Sequence, residues 1–131
     1  MRLLILLLPL ILPNDPPERL TVYDAIGAIM SIESNFDRFA HNKKENALGI
    51  LQIRPIMVRE VNLILGCDKY KLSDRTDINK SVEMFIIYQK RRNPTNDLHK
   101  GIMQWNGGAN GHNKNSTKKY LRKVLAVLNK S

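Results

Sequence analysis

A chain of 131 residues, 43% hydrophobic and 25% charged, has the size and composition of one globular domain and is too short for two separate cores. Its formal net charge of +9 favours anionic partners, such as nucleic acid, acidic lipid or acidic cell-wall polymer, without choosing among them. Cys67 is the only cysteine, which excludes an internal disulfide and a multi-cysteine zinc site. The three histidines, His41, His99 and His112, show no HExxH spacing, so neither metal nor cofactor is expected.

Residues 1–12 stand apart. Arg2 supplies a positive charge, and residues 3–12 are apolar throughout, interrupted only by Pro9. That run is too short to span a bilayer, which takes ~20 residues. It has the charged start and apolar core of an export signal, although no A-x-A-like cleavage site follows. Left uncleaved, it would pack on the domain or hold the chain at a membrane. Pro13, Pro16 and Pro17 make residues 13–20 a linker rather than a helix. The chain is therefore divided into a signal or anchor segment with its Pro-rich linker, 1–19, and a domain, 20–131. The segment implies work outside the cytoplasm, in the periplasm, the cell envelope or the medium.

The domain reads as a series of amphipathic helices. Over 21–34, Val22, Ala25, Ile26, Ile29 and Met30 recur at helical spacing, with Thr21 as cap and Asp24 as its approximate capping-box partner. Residues 35–54 are irregular, rich in Asn, Lys and Gly, with room for a small hairpin within 40–54. Pro55 suits the first position of a second helix, which Gly66 ends. A third helix fits residues 77–92, with Ile78, Val82, Phe85 and Ile86 as its apolar stripe and Asn93-Pro94 as its stop. A short helix covers 97–104 and ends before a loop, Trp105-Asn106-Gly107-Gly108. The last begins after Asn115 or Ser116. It sets Tyr120, Leu121, Val124, Leu125 and Leu128 against Lys118, Lys119, Arg122 and Lys123. No long segment alternates as a strand does, so the fold class is mainly α, α+β at most.

Glu33 continues the apolar face of the first helix, four residues after Ile29. At the edge of a core, desolvation disfavours the carboxylate and raises its pKa. A carboxylic acid that keeps its proton near neutral pH can protonate a glycosidic oxygen. Periodicity alone favours a glutamate at a frayed helix end, turned to water.

The company Glu33 keeps is more specific. Glu33-Ser34 in IESNFD, the stretch 47–55 (ALGILQIRP), Trp105-Asn106-Gly107-Gly108, and Thr117-Lys118-Lys119-Tyr120-Leu121 occur in this order. Together they make residues 23–127 resemble the soluble lytic transglycosylase family, relatives of goose-type lysozyme. Asn46 stands where that family commonly has glycine, Leu51 where it has methionine, and Trp105 where tyrosine is commoner. The resemblance implies a lysozyme-like helical domain with a substrate cleft and Glu33 as the catalytic acid/base. It also implies substrate contacts from Ser34, Gln52, Trp105, Asn106 and Tyr120. Each has a plainer alternative: helix end for Ser34, surface amide for Gln52, core ring for Trp105, Asn-Gly turn for Asn106, core aromatic for Tyr120.

The implied substrate is the peptidoglycan glycan strand, cleaved at the MurNAc–GlcNAc β-1,4 bond. Ordinary glycosidases use two carboxylates. In this family the substrate's acetamido group replaces the second, and the product carries a 1,6-anhydromuramyl end. If Asp37 or Glu45 faced the cleft and held a water, lysozyme-type hydrolysis would result instead. A wall-binding module without activity and a basic nucleic-acid-binding module are the readings from other classes. Against the last, the cationic residues are not gathered on one recognition helix, so no nucleic-acid partner is expected.

Overall fold

The computed structural model describes residues 19–130. The apolar segment at 3–12 and most of the Pro-rich linker lie outside the described residues, and with them the expectation of an export signal.

The first amphipathic stretch folds in two steps. A tight 3-10 turn, Val22–Ala25, leads into helix α1, Ile26–Ser34. The Asp24 carboxylate accepts from the Thr21 backbone N–H at 2.7 Å, closing the first turn. Val22, Ala25 and Ile29 are fully buried. Asn35 ends α1 in a left-handed conformation at φ 52°, returning its N–H to the carbonyls of Met30 and Ser31.

The irregular stretch holds a small hairpin of β1, His41–Asn42, and β2, Ala47–Leu48, with His41 opposite Leu48. Helix α2, Pro55–Leu65, has the expected bounds, proline first and Gly66 after the end. Asp77 caps α3, Ile78–Arg92, accepting from Lys80 N–H at 2.9 Å. Asp97 caps α4, Leu98–Gly107, accepting from Lys100 N–H at 2.8 Å. Helix α5 is Asn115–Leu128. A 3-10 turn, Leu72–Thr76, precedes α3, and it went unanticipated.

Helix α2 packs on α3, and α5 packs on both α1 and α4. The elements close over a core that includes Ile29, Leu51, Ile53, Met84, Phe85, Ile102 and Val124. The expected helical, lysozyme-like class holds.

Two expectations need correction. The buried face of α3 is Ser81, Met84, Phe85, Tyr88 and Gln89, whereas Ile78 is 39% exposed. Hydrophobic counting misses this face because part of it is polar and internally bonded. Ser81 Oγ donates to the Arg75 carbonyl at 3.0 Å, and Gln89 Nε2 to the Gly101 carbonyl at 3.3 Å. Asn93 Nδ2 donates to the Asp97 carbonyl at 2.8 Å. A buried polar group whose bonds are made costs little. The second correction is that Trp105, Asn106 and Gly107 form the last turn of α4, not a loop. Only glycine fits at 107, because Thr117 lies against it and a Cβ would come within 2.2 Å of the threonine methyl. The chain turns only at Gly108.

Candidate active site

Glu33 sits in the last turn of α1, where the buried face of the helix runs out into a cleft of about 260 Å³. The cleft brings Glu33, Gln52, Trp105 and Asn106 together, with Arg54, Ile56 and Met57 along its other wall. Burial pushes the Glu33 carboxyl above its ordinary value of 4.5. Tyr120 and Arg54 oppose that rise, and the negative charge of Glu45 adds to it. Desolvation dominates, as the helical face requires.

The loop between β2 and α2 forms the wall opposite. Gln52 has a left-handed backbone at φ 50°, a conformation that costs a non-glycine residue about 1–2 kcal/mol. Its side chain stabilises that turn: Nε2 donates to the carbonyls of Ala40 and Gly49, both at 2.9 Å. Both partners are acceptors, so the amide's orientation is fixed, and Oε1 is left to accept from a ligand. Gln52 is thus no surface amide: its donors are spent on the loop. Ser34 does similar work. Its Oγ faces the carbonyls of Ile50, at 2.8 Å, and Met30, at 3.1 Å, tying α1 to the same loop. Ser34 is therefore placed behind the cleft, not in its lining.

Buried Arg75, which carried no signal in sequence, anchors this loop from below. Its guanidinium donates to the carbonyls of Asn46 at 2.7 Å and Ile53 at 3.0 Å. Asn46 takes the left-handed turn at φ 52°, a conformation asparagine tolerates better than most residues.

The remaining wall comes from the end of α4 and the start of α5. Trp105 is 9% exposed and meets Phe85 edge to face at 4.8 Å. It is a core ring with one edge in the cleft. The Asn106 side chain makes no hydrogen bond within the described residues and faces the cavity. Tyr120 is 8% exposed. Its hydroxyl comes close enough to Glu33 to act on the carboxyl's pKa, yet completes no well-formed hydrogen bond with any protein group. Burial, reinforced by the Glu33 charge, pushes the phenol well up, so it stays protonated and able to donate.

The two other carboxylates differ in placement. Asp37 Oδ1 accepts from Phe39 N–H at 2.8 Å within its own exposed loop. Glu45 lines a neighbouring concavity, paired at 3.0 Å with Arg54, which borders both. The arrangement thus presents one desolvated acid, one phenol donor beside it, and one carboxylate paired with Arg54.

Glu33 has a consequence for stability. Its pKa is raised on folding, so the folded state holds the proton more tightly than the unfolded state. The stabilisation this supplies is present below the ordinary carboxyl pKa and is lost as pH rises through the folded one. Glu33→Gln, which cannot ionise, is therefore expected to melt higher than wild type at neutral pH, with the gap closing near pH 4. Calorimetry across that range checks it, and a gap that widens on acidification contradicts the assignment.

A family model, Transglycosylase SLT domain, matches residues 21–126. No curated protein and no solved structure matches the chain.

Proposed function

The chain belongs to the Transglycosylase SLT domain family, and we propose from this that it is a lytic transglycosylase cleaving the MurNAc–GlcNAc β-1,4 bond of peptidoglycan. The observation that carries the reading is the desolvated Glu33 carboxyl at the cleft floor, facing an unpartnered phenol. The protonated Glu33 gives its proton to the glycosidic oxygen as the C1–O bond breaks. The muramyl acetamido oxygen closes on C1 from the opposite side. The Glu33 carboxylate then takes the proton of the 6-hydroxyl, whose oxygen displaces the acetamido oxygen from C1. One 1,6-anhydro ring results, the acid is regenerated, and no water is consumed. Gln52 Oε1 and the Asn106 amide orient the sugar, the Trp105 edge borders it, and Ser34 holds the loop that carries Gln52.

Hydrolysis of the same bond is the second reading. Glu45 favours it, because its charge reaches Glu33. Its pairing with Arg54 weighs against a role as a base. Mass spectrometry of digested peptidoglycan separates the two. Anhydro ends, lighter by one water than reducing ends, are expected; reducing ends alone would select hydrolysis.

The enzyme is proposed to act outside the cytoplasm, where its polymer lies. No described helix is long and apolar enough to cross a membrane. Fractionation finding the full-length protein only in the cytosol of its host would count against this.

A further inference from the structure

The loop that leaves α1 exposes two aromatic rings. Phe36 is 57% and Phe39 65% exposed. Phe36 has a left-handed backbone at φ 62°, an outlier for a bulky residue, and its N–H donates to the Met30 carbonyl at 3.3 Å. It also borders a groove with Gly27, Ala28 and Val127, so apolar surface continues from the loop onto the helices. Neither ring lines the Glu33 cleft or the concavity beside it. Positive charge accompanies the rings. The Arg38 guanidinium carbon lies 4.7 Å from the centre of the Phe39 ring. Lys43 and Lys44, both exposed, follow in the turn between β1 and β2. Among the described residues, no carboxylate pairs with Arg38, Lys43 or Lys44. The nearest in sequence are otherwise engaged, Asp37 with the Phe39 N–H and Glu45 with Arg54.

We propose that this loop and the adjoining hairpin turn dock on a bilayer of anionic phospholipid, the rings entering the interface and the cations meeting the headgroup phosphates. Exposed apolar rings beside unpaired cations match both layers of such a surface. A glycan strand is a poorer match, because the Arg38 guanidinium covers a face of Phe39 on which a sugar would stack, and the loop lies outside the cleft. A second copy is disfavoured, since a two-fold contact would set the same cations against each other. A soluble polyanion would use the cations and leave the rings in water. Docking here would hold the Glu33 cleft against the wall layer next to the membrane.

The test is cosedimentation of the full chain with vesicles of phosphatidylglycerol and phosphatidylcholine, and with vesicles of phosphatidylcholine alone. Wild type should bind the mixed vesicles more tightly, and equal binding to both overturns the proposal. Lys43→Gln/Lys44→Gln should weaken binding to mixed vesicles roughly thirtyfold, from about 1 kcal/mol per charge near an anionic surface. Phe39→Ala should weaken it roughly tenfold, for partial burial of the ring. Residues 3–12 are the same in every variant, so any pull they exert on lipid cancels in the comparison. Binding unmoved by all variants overturns the docking surface and assigns the lipid affinity to that segment. Weakening by the lysine changes alone also overturns it, since a polyanion site needs no ring. Phe39→Trp reads insertion directly. Its emission should shift to the blue and be quenched by brominated acyl chains far more than that of wild type, whose Trp105 is 9% exposed. Unquenched emission from vesicle-bound protein overturns ring insertion. Losses seen on lipid-free cell walls and not on vesicles assign the loop to glycan. A dimer in sedimentation equilibrium that Phe39→Ala dissolves assigns it to a second copy, and either result overturns the bilayer. No arm reads cleavage, so these outcomes stand apart from the proposed reaction.

Discussion

Glu33→Gln is expected to abolish dye release from purified cell walls while leaving the fold intact. Glutamine keeps the size of the side chain, but it has no proton of suitable acidity to give the leaving oxygen. Loss of general acid/base help costs roughly 10²–10⁴ in rate. Glu33 serves the proposed reaction twice, as acid and then as base, so the loss should lie at the upper end or beyond. Asp37→Asn should cost much less, since that carboxylate is engaged with its own loop. Glu45→Gln should also be mild in rate, but with a signature of its own. Glu45 helps hold the Glu33 proton, so its removal should move the alkaline limb of the pH–rate profile to lower pH. Near-normal cleavage by Glu33→Gln would remove the site assignment altogether. A Glu45→Gln enzyme as dead as Glu33→Gln would instead assign Glu45 the base of a hydrolase.

Helix ends were legible wherever a single residue type sets them by its own stereochemistry. Pro55 opens α2 and Gly66 closes it, while Asp77 and Asp97, read as the first residues of their helices, prove to be the caps just before them. Glu33 was legible for a related reason, since a polar residue in register with Val22 and Ile29 must emerge where their burial ends. What escaped depends on partners distant in sequence. Ser81, Gln89 and Asn93 read as surface residues until their acceptors are known, and those acceptors are backbone carbonyls elsewhere. Asn106-Gly107 reads as a turn until Thr117 is seen to press on Gly107. The amide nitrogen of Gln52 reads as free until the carbonyls of Ala40 and Gly49 are found to occupy it. Arg75, a charged residue between Asp74 and Thr76, offers no pattern that announces burial, yet it supports the loop that forms one wall of the cleft.

That loop is the site of the second large effect. Gly49→Ala is expected to destabilise the protein by ~3 kcal/mol or more, because two penalties coincide. The backbone there has φ +90°, a region L side chains avoid, and an added Cβ would lie 1.8 Å from the Arg75 carbonyl oxygen. The obstacle is backbone, and it is held firmly. Ser81 Oγ donates to that same oxygen at 3.0 Å, and the Arg75 guanidinium is bonded to Asn46 and Ile53. Gly66→Ala separates the two penalties. It shares a positive φ, +74°, but nothing lies within 4 Å of the new methyl group, so it should cost only the conformational ~1–2 kcal/mol. For a domain of this size, Gly49→Ala should lower Tm by roughly 10 °C or more, and Gly66→Ala by several degrees. Activity should separate them further. Gly49 O accepts from Gln52 Nε2 and Gly49 N–H donates to the Ala40 carbonyl at 2.9 Å, so displacing Gly49 displaces the wall that faces Glu33. Gly66 ends α2 away from the cleft, and its variant should retain wall cleavage at temperatures where it is folded. Equal melting temperatures for the two variants would show that the contact with Arg75 yields without cost, and the loop's rigidity would then need another source.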